Sequence, residues 1–211
     1  MNSIIYIADP MCSWCYGFSN EVTQLKEQYA ADFSFQMVMG GLRPGGGDPW
    51  EDKFKNMLKH HWEKVAEASG LPFGYELFNR ESFNYDTEPS CRAVCVVKDL
   101  APEHAFGFFK TVQSRFYAES QDPSELEFYQ PICENFGIPF DQFSMLFLSE
   151  QYKEKTRADF AQCMEWGIRG FPSVIIQMDE QLTLLTKGYM KFADMQKRLD
   201  TFLSRVASFK N

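Results

Sequence analysis

The sequence has no long apolar run. No stretch of its 211 residues approaches the roughly 18 consecutive apolar residues of a membrane-spanning helix, so no span is expected. It has no surplus of basic charge: 21 Lys and Arg stand against 29 Asp and Glu, a formal net charge of −8 at pH 7. That balance argues against nonspecific nucleic-acid binding and against adhesion to an anionic lipid surface. The opening Met1-Asn2-Ser3-Ile4-Ile5-Tyr6 has no basic stretch leading into a long apolar one, so no secretory leader is expected, and the expected compartment is the cytoplasm. Repeats, poly-acidic tracts and low-complexity segments are absent. Histidine is scarce, with His60, His61 and His104 alone, and the adjacent pair point in different directions on a helix. Beyond Cys12 and Cys15 there is no second C-x-x-C and no H-x-x-x-H, so a tetrahedral zinc site lacks two of its ligands and no metal is expected. The glycine run Gly40-Gly41-Leu42-Arg43-Pro44-Gly45-Gly46-Gly47 has neither the Gly-Lys-Ser/Thr ending of a phosphate-binding loop nor the spacing of a dinucleotide fingerprint.

What is present suits one large domain, or one domain carrying an insertion. Apolar residues make up 45% of the chain, enough for a core that needs no disulfide staples. The 21 phenylalanines read as core packing, or as an apolar groove that receives unfolded peptide. Cysteines of a cytoplasmic protein are normally reduced, which favours a catalytic over a structural C-x-x-C.

The most informative segment is Cys12-Ser13-Trp14-Cys15, placed where the strand pattern Ile4-Ile5-Tyr6-Ile7-Ala8 gives way to a helix. A strand followed by C-x-x-C at a helix start reads as a thioredoxin-like redox motif. The first N–H groups of a helix have no intrahelical acceptor, and the helix dipole adds partial positive charge; both favour a thiolate. Cys12, the more N-terminal sulfur, is expected to attack and Cys15, one turn inside, to resolve the mixed disulfide. A second signal is Gly167-Ile168-Arg169-Gly170-Phe171-Pro172-Ser173 before the β-branched run Val174-Ile175-Ile176. Pro172 either opens an edge strand in trans or follows a cis bond; beside a C-x-x-C the cis form is expected.

Four segments together resemble the DsbA family of thioredoxin-like proteins, and most closely its cytoplasmic, FrnE-like branch. They are Asp9-Pro10-Met11-Cys12-Ser13-Trp14-Cys15-Tyr16-Gly17-Phe18, Gly40-Gly41-Leu42-Arg43, Pro89-Ser90-Cys91-Arg92-Ala93 and Gly167 to Ser173, in that order along most of the chain. The resemblance implies an α/β, thioredoxin-like fold with a large helical insertion between an N-terminal βαβ unit and a C-terminal ββα unit. On that reading residues 1–47 and 156–211 form a discontinuous thioredoxin-like domain, and 48–155 a helical insertion domain. It implies thiol–disulfide oxidoreductase or isomerase activity on protein or peptide disulfides, with Pro172 packed against the C-x-x-C and the Phe171 backbone pairing with an extended substrate. No cofactor is required; glutathione or a thioredoxin system is the expected redox partner. Kappa-class glutathione transferases and 2-hydroxychromene-2-carboxylate isomerases look similar around the first strand and the proline, and a glutathione-dependent transferase or isomerase is the alternative. They carry a serine-type site where this chain has Cys12, so the dithiol argues against them. Many thioredoxin-like proteins have Val or Thr before the cis-proline; the bulk of Phe171 narrows the groove.

Along the rest of the chain, a helix is expected to about Tyr29 and a second strand over Phe33–Met39. Next come a helix with Trp50, Phe54, Met57, His61 and Val65 on one face, one over Pro89–Leu100 capped by Asp86 or Thr87, and one with Ala105, Phe108, Phe109, Val112 and Phe116. Asp122-Pro123 starts a helix with Leu126, Tyr129, Cys133 and Phe136, Asp141 caps another, and one near Lys155–Trp166 returns to the core. Strands Val174–Met178 and Leu182–Thr186 form a hairpin about Asp179-Glu180-Gln181, and a last helix buries Phe192, Met195, Leu199, Phe202 and Val206. Asp9 reads as a turn residue or as a base for the Cys15 proton. Trp14 reads as exposed apolar surface for substrate docking. Arg43 reads as a solvated side chain, or as one that binds a carboxylate or lowers a thiol pKa. Ser90 and Arg92 read as facing the site. Cys91 and Cys95, four apart on a helix, read as buried small hydrophobes, a metal pair or a second redox pair; Cys133 and Cys163 read as buried.

Overall fold

The computed structural model describes residues 2–209. Its centre is a four-stranded sheet in the order β2-β1-β3-β4. Strand β1, Ser3–Ala8, has β-branched Ile4, Ile5 and Ile7 around Tyr6, and every residue in it is buried, the composition of a strand covered on both faces. Strand β2, Ser34–Met39, runs parallel to it in the register Ser3↔Ser34 through Ala8↔Met39. The crossover between them is helical: α1, Ser13–Gly17, and α2, Ser19–Gln28. One helix was expected here; the structure breaks it at Phe18, which is fully buried. On the other side of β1, strand β3, Ser173–Met178, pairs antiparallel with Tyr6 opposite Val174. It turns through Asp179, at φ 55, into β4, Gln181–Lys187, which is the far edge.

Seven further helices complete the described chain: α3 (Asp52–Ser69), α4 (Glu88–Leu100), α5 (Ala105–Tyr117), α6 (Gln130–Asn135), α7 (Phe140–Leu148), α8 (Glu150–Glu165) and α9 (Phe192–Phe209). Helix α4 starts after Thr87, one of the two residues expected to cap it. Helix α8 begins earlier than expected because the Ser149 hydroxyl accepts the Tyr152 N–H. The helix expected after Pro123 is divided into a 3₁₀ turn, Leu126–Tyr129, and α6, with Pro131 restarting the α geometry in the first turn.

The buried face of α3 differs from the expected one. Val65 is buried as expected, and Trp50, ahead of the helix, and Phe54 pack against the same cluster as Trp62, while Met57 and His61 face solvent and Leu58 and Trp62 are buried in their place. Two apolar stripes one residue apart compete here, and packing selects the one carrying Trp62. Its ring meets Phe73, Tyr75, Phe78, Phe116 and Tyr117 at centroid distances of 4.9–6.3 Å. The main core is continuous from the sheet, through Tyr6, Val174 and Ile176, into α4–α8, through Val94, Phe108, Phe143 and Tyr152. Among the described residues, no helix is long and apolar enough to cross a membrane.

Candidate active site

The chain leaves β1 through Asp9-Pro10-Met11 and enters α1 at Cys12. Cys12 is extended, at φ −92 and ψ 115, and its carbonyl accepts the Tyr16 N–H at 3.0 Å. The Cys12 sulfur therefore sits where the N–H groups of the first turn have no intrahelical acceptor. Both sulfurs are free thiols. Cys12 is 5% exposed and Cys15 0%, so of the two only Cys12 touches solvent. Burial, followed by the neighbouring Cys12 sulfur, pushes the Cys15 thiol well above its ordinary range. The Tyr6 hydroxyl donates to the Cys15 carbonyl at 3.5 Å, tying the centre of the sheet to the inner cysteine.

The second half of the chain closes over this turn. The Cys12 thiol donates to the Phe171 carbonyl at 3.6 Å, and the Phe171–Pro172 bond is cis. The Pro172 carbonyl accepts the Gly188 N–H at 2.7 Å and the Ser173 hydroxyl donates to the Gly170 carbonyl, which fixes the loop at the head of β3. The Phe171 ring lies on Gly40. A Cβ at position 40 would come within 2.3 Å of that ring, so the close approach requires glycine. Leu42, Phe160, Met164, Arg157 and Arg169 extend the surface beside Phe171 into an open groove of about 420 Å³. Trp14 is half-buried rather than free: its ring packs on Tyr189 at 5.6 Å, and the Tyr189 hydroxyl is anchored on the Ala68 carbonyl.

Beneath the thiols lies Asp9, with no exposed surface. Its carboxylate accepts the Met11 N–H at 2.8 Å, the Leu42 N–H at 2.6 Å and the Cys91 thiol at 3.4 Å, with the Thr87 hydroxyl adding to the set. Burial raises the Asp9 pKa, and these donors oppose the rise. Asp9 thus joins three segments: the cysteine turn, the glycine run and α4. The glycine run is stitched to the chain before α4 by further bonds. Arg43 N–H donates to the Thr87 hydroxyl, Thr87 N–H to the Arg43 carbonyl, Gly45 N–H to Asp86 and Gly47 N–H to Asn84.

The side chains of three residues with expected supporting roles are engaged with groups other than the thiols. The Arg43 guanidinium pairs with Asp48 and covers the Phe54 ring, so its backbone is the part tied to the site. Ser90 is buried and donates back to the Thr87 carbonyl within the start of α4. Arg92 donates to the Phe147 carbonyl at 2.8 Å, pairs with Glu88 at 3.1 Å and stacks on the Phe147 ring. Cys95 and Cys163 are buried: the Cys95 thiol donates to Asp159, the Cys163 thiol to the Met39 carbonyl, and burial pushes each up to about 12. Cys133 is buried on α6.

Thr87, Tyr85 and the thiol of Cys91 belong to the site's frame and were not assigned there from the sequence. Tyr85 donates to the Met11 carbonyl at 2.8 Å, and its hydroxyl lies 3.3 Å from that of Tyr117. The Asx/Thr cap signal at 86–87 pointed to a helix start; its second use, facing Asp9 across 78 residues of sequence, is invisible to local spacing.

The family model described as "DSBA-like thioredoxin domain" matches residues 3–206. A provisional protein disulfide isomerase from Nitrosomonas europaea has a similar structure at 34% identity and TM-score 0.90, over 97% of this chain and 98% of that one. The cytosolic disulfide reductase DsbM from Pseudomonas aeruginosa is similar at 21% identity and TM-score 0.79, over 96% and 98%, and its structure with GSH at TM-score 0.77, over 96% and 99%. A 2-hydroxychromene-2-carboxylate isomerase shares the fold at 15% identity and TM-score 0.65, over 98% and 97%. No curated protein matches the sequence significantly.

Proposed function

The chain belongs to the DSBA-like thioredoxin family, and we propose that it is a thiol–disulfide oxidoreductase acting on protein or peptide disulfides through Cys12 and Cys15. One observation carries the reading: a solvent-touching sulfur at a helix start, 3.6 Å from the Phe171 carbonyl, with a buried partner sulfur one turn behind it. The name of the 34% identical relative and that of the cytosolic reductase support the same direction.

The cycle balances with thiols alone. The Cys12 thiolate attacks one sulfur of a substrate disulfide, forms the Cys12–substrate bond and expels the other substrate sulfur as a thiolate. Cys15 loses its proton and attacks the Cys12 sulfur, which releases the second substrate thiolate and leaves a Cys12–Cys15 disulfide. Two thiol equivalents from glutathione or a reductase restore the dithiol, and the structure of a relative with GSH supports glutathione in that role. The raised pKa of Cys15 makes its deprotonation the step that needs help, and Asp9 is the nearby buried carboxylate for it. Trp14 and Phe171 supply apolar contact, and the Phe171–Pro172 backbone pairs with extended substrate. Residues 1–47 and 156–211 act as the thioredoxin-like unit, with 48–155 an insertion that frames it. The reaction calls for no metal or nucleotide, and the cytoplasm, where thiols are kept reduced, is the setting proposed for it.

The test is trapping. Cys15→Ser should accumulate a mixed disulfide between Cys12 and a disulfide-containing peptide, readable by mass spectrometry, and Cys12→Ser should accumulate none. In the wild type, a glutathione redox series should show one two-electron transition. Turnover that survives Cys15→Ser, with a stable Cys12–glutathione adduct and no internal disulfide, would refute the dithiol cycle in favour of a glutathione-dependent transferase or isomerase.

A further inference from the structure

A broad groove away from the thiols has neither Cys12 nor Cys15 in its lining. It runs along the outer edge of β2, has a volume of about 620 Å³, and lies between Lys26 of α2 with Ala30 of the following turn and the segment from Pro102 into the start of α5 at Phe106. Strand β2 ends the sheet here, with β1 on one side and, among the described residues, no strand on the other.

The hydrogen bonds show which way each residue of β2 points. Ser34 N–H donates to the Asn2 carbonyl and Gly40 N–H to the Ala8 carbonyl. In a parallel ladder alternate residues face the same neighbour, so Ser34, Gln36, Val38 and Gly40 are turned toward β1, and Phe35, Met37 and Met39 outward. Met39 bears this out, because its N–H donates to Asp159 at 3.0 Å and its carbonyl accepts the Cys163 thiol. Helix α8 thus closes the last outward position. Phe35 and Met37, the two before it, face the groove with backbone groups that have no partner among the described residues.

An edge of this kind selects its ligand by geometry. Two outward N–H and C=O sets stand two residues apart, about 6.6 Å along a strand, and an extended backbone repeats donors and acceptors at that spacing. The side chains add a sign. The Lys26 ammonium lies 5.9 Å from the Phe35 ring and 5.9 Å from the Phe106 ring, and no carboxylate pairs with it among the described residues. Lys98, the other cation of the groove, is already held by Asp159 at 2.8 Å. Glu103 lines the opposite wall, so the basic character is confined to the α2 side.

We propose that the β2 edge at Phe35 and Met37 is a second peptide-docking surface, which takes an extended segment of a partner protein as a fifth strand with an acidic side chain beside Lys26. It is separate from the thiol site and needs no cysteine in the bound segment.

The probe is the cysteine-free peptide acetyl-Thr-Val-Glu-Val-Thr-amide, with its Lys-for-Glu counterpart as control, and the readout is amide exchange and chemical shift by NMR. In the free protein, the Phe35 and Met37 amides should exchange at least about tenfold faster than those of Gln36 and Val38. The acidic peptide should protect Phe35 and Met37 and shift Lys26. Lys26→Glu should weaken it about two- to fivefold and favour the lysine peptide, the scale of an exposed ion pair. The proposal fails if neither peptide protects these amides, or if shifts are confined to the surroundings of Cys12 and Phe171. Protection of Phe35 and Met37 in the free protein also overturns it: rising with concentration, it means a second copy covers the edge, and independent of concentration, the chain's own terminal residues.

Discussion

Replacing Asp9 with Asn tests the clamp beneath the thiols. The wild-type carboxylate accepts from Met11 N–H, Leu42 N–H and the Cys91 thiol, at 2.8, 2.6 and 3.4 Å. An amide of the same shape keeps one acceptor oxygen and turns its NH₂ toward either Met11 N–H or Leu42 N–H, donor against donor. The loss of one charge-assisted hydrogen bond costs about 1.5–3 kcal/mol, and the buried N–H left unsatisfied costs about 1–3 kcal/mol. Against this, the variant no longer buries a negative charge, and the raised Asp9 pKa shows that burial does penalise the ion. With four donors aimed at one carboxylate, the hydrogen-bond loss should win. We expect Asp9→Asn to lose about 2 kcal/mol at pH 7, which for a chain of this size is ~4–8 °C in Tm.

The pH dependence has a definite sign. A carboxyl pKa raised by folding means the folded state binds the proton more tightly than the unfolded one, so the wild type gains stability as pH falls from 7 toward the ordinary carboxylate range. The variant has no such group and no such gain. The stability difference between the two proteins should therefore widen on acidification. Paired thermal melts at pH 7 and pH 5, with amide exchange of Met11 and Leu42, measure it. A variant as stable as the wild type at pH 7, or a difference that shrinks as pH falls, would refute the reasoning.

Gly40→Ala should push the Phe171 ring aside, because the new methyl lies within 2.3 Å of it; the half-buried ring can swing, so stability should fall by only about 1 kcal/mol while peptide–disulfide exchange at Cys12 slows, read by stopped-flow fluorescence. Thr87→Val removes the acceptor for Arg43 N–H and a donor to Asp9, and should cost about 1–3 kcal/mol and speed amide exchange at Arg43 and Leu42. Trp62→Ala opens a cavity in the aromatic cluster of α3 and α5, and urea titration should show a loss of about 3–5 kcal/mol with the Cys12 reaction rate in native buffer unchanged.

The strands and the redox turn were legible because their signals are local. Ile4 to Ala8 is a β-branched run, Cys12 to Cys15 stands at a change of period, and Val174 to Thr186 is two apolar runs about a turn. Each was found within about two residues of its place. The face of α3 was misread at Met57 and His61, which lie one residue from Leu58 and Trp62 and offer nearly the same period, and only the rings of Phe73, Phe78 and Tyr117 decide between them. Ser90, Arg92 and Arg43 were placed by their nearness to motif segments, but a side chain's direction depends on what it packs against: Thr87, Phe147 and Asp48 in these cases.

The sequence by itself determined the sheet, the dithiol at a helix start, and a family resemblance that the match over residues 3–206 bears out. Tertiary structure alone decided that the Phe171 carbonyl meets Cys12, that Asp9 gathers donors from three segments, and that β2 is closed at Met39 and open at Phe35 and Met37. The reason is range. Period and propensity act over a few residues, whereas these contacts join positions 33 to 159 apart, where only the packed chain brings donor and acceptor within bonding distance.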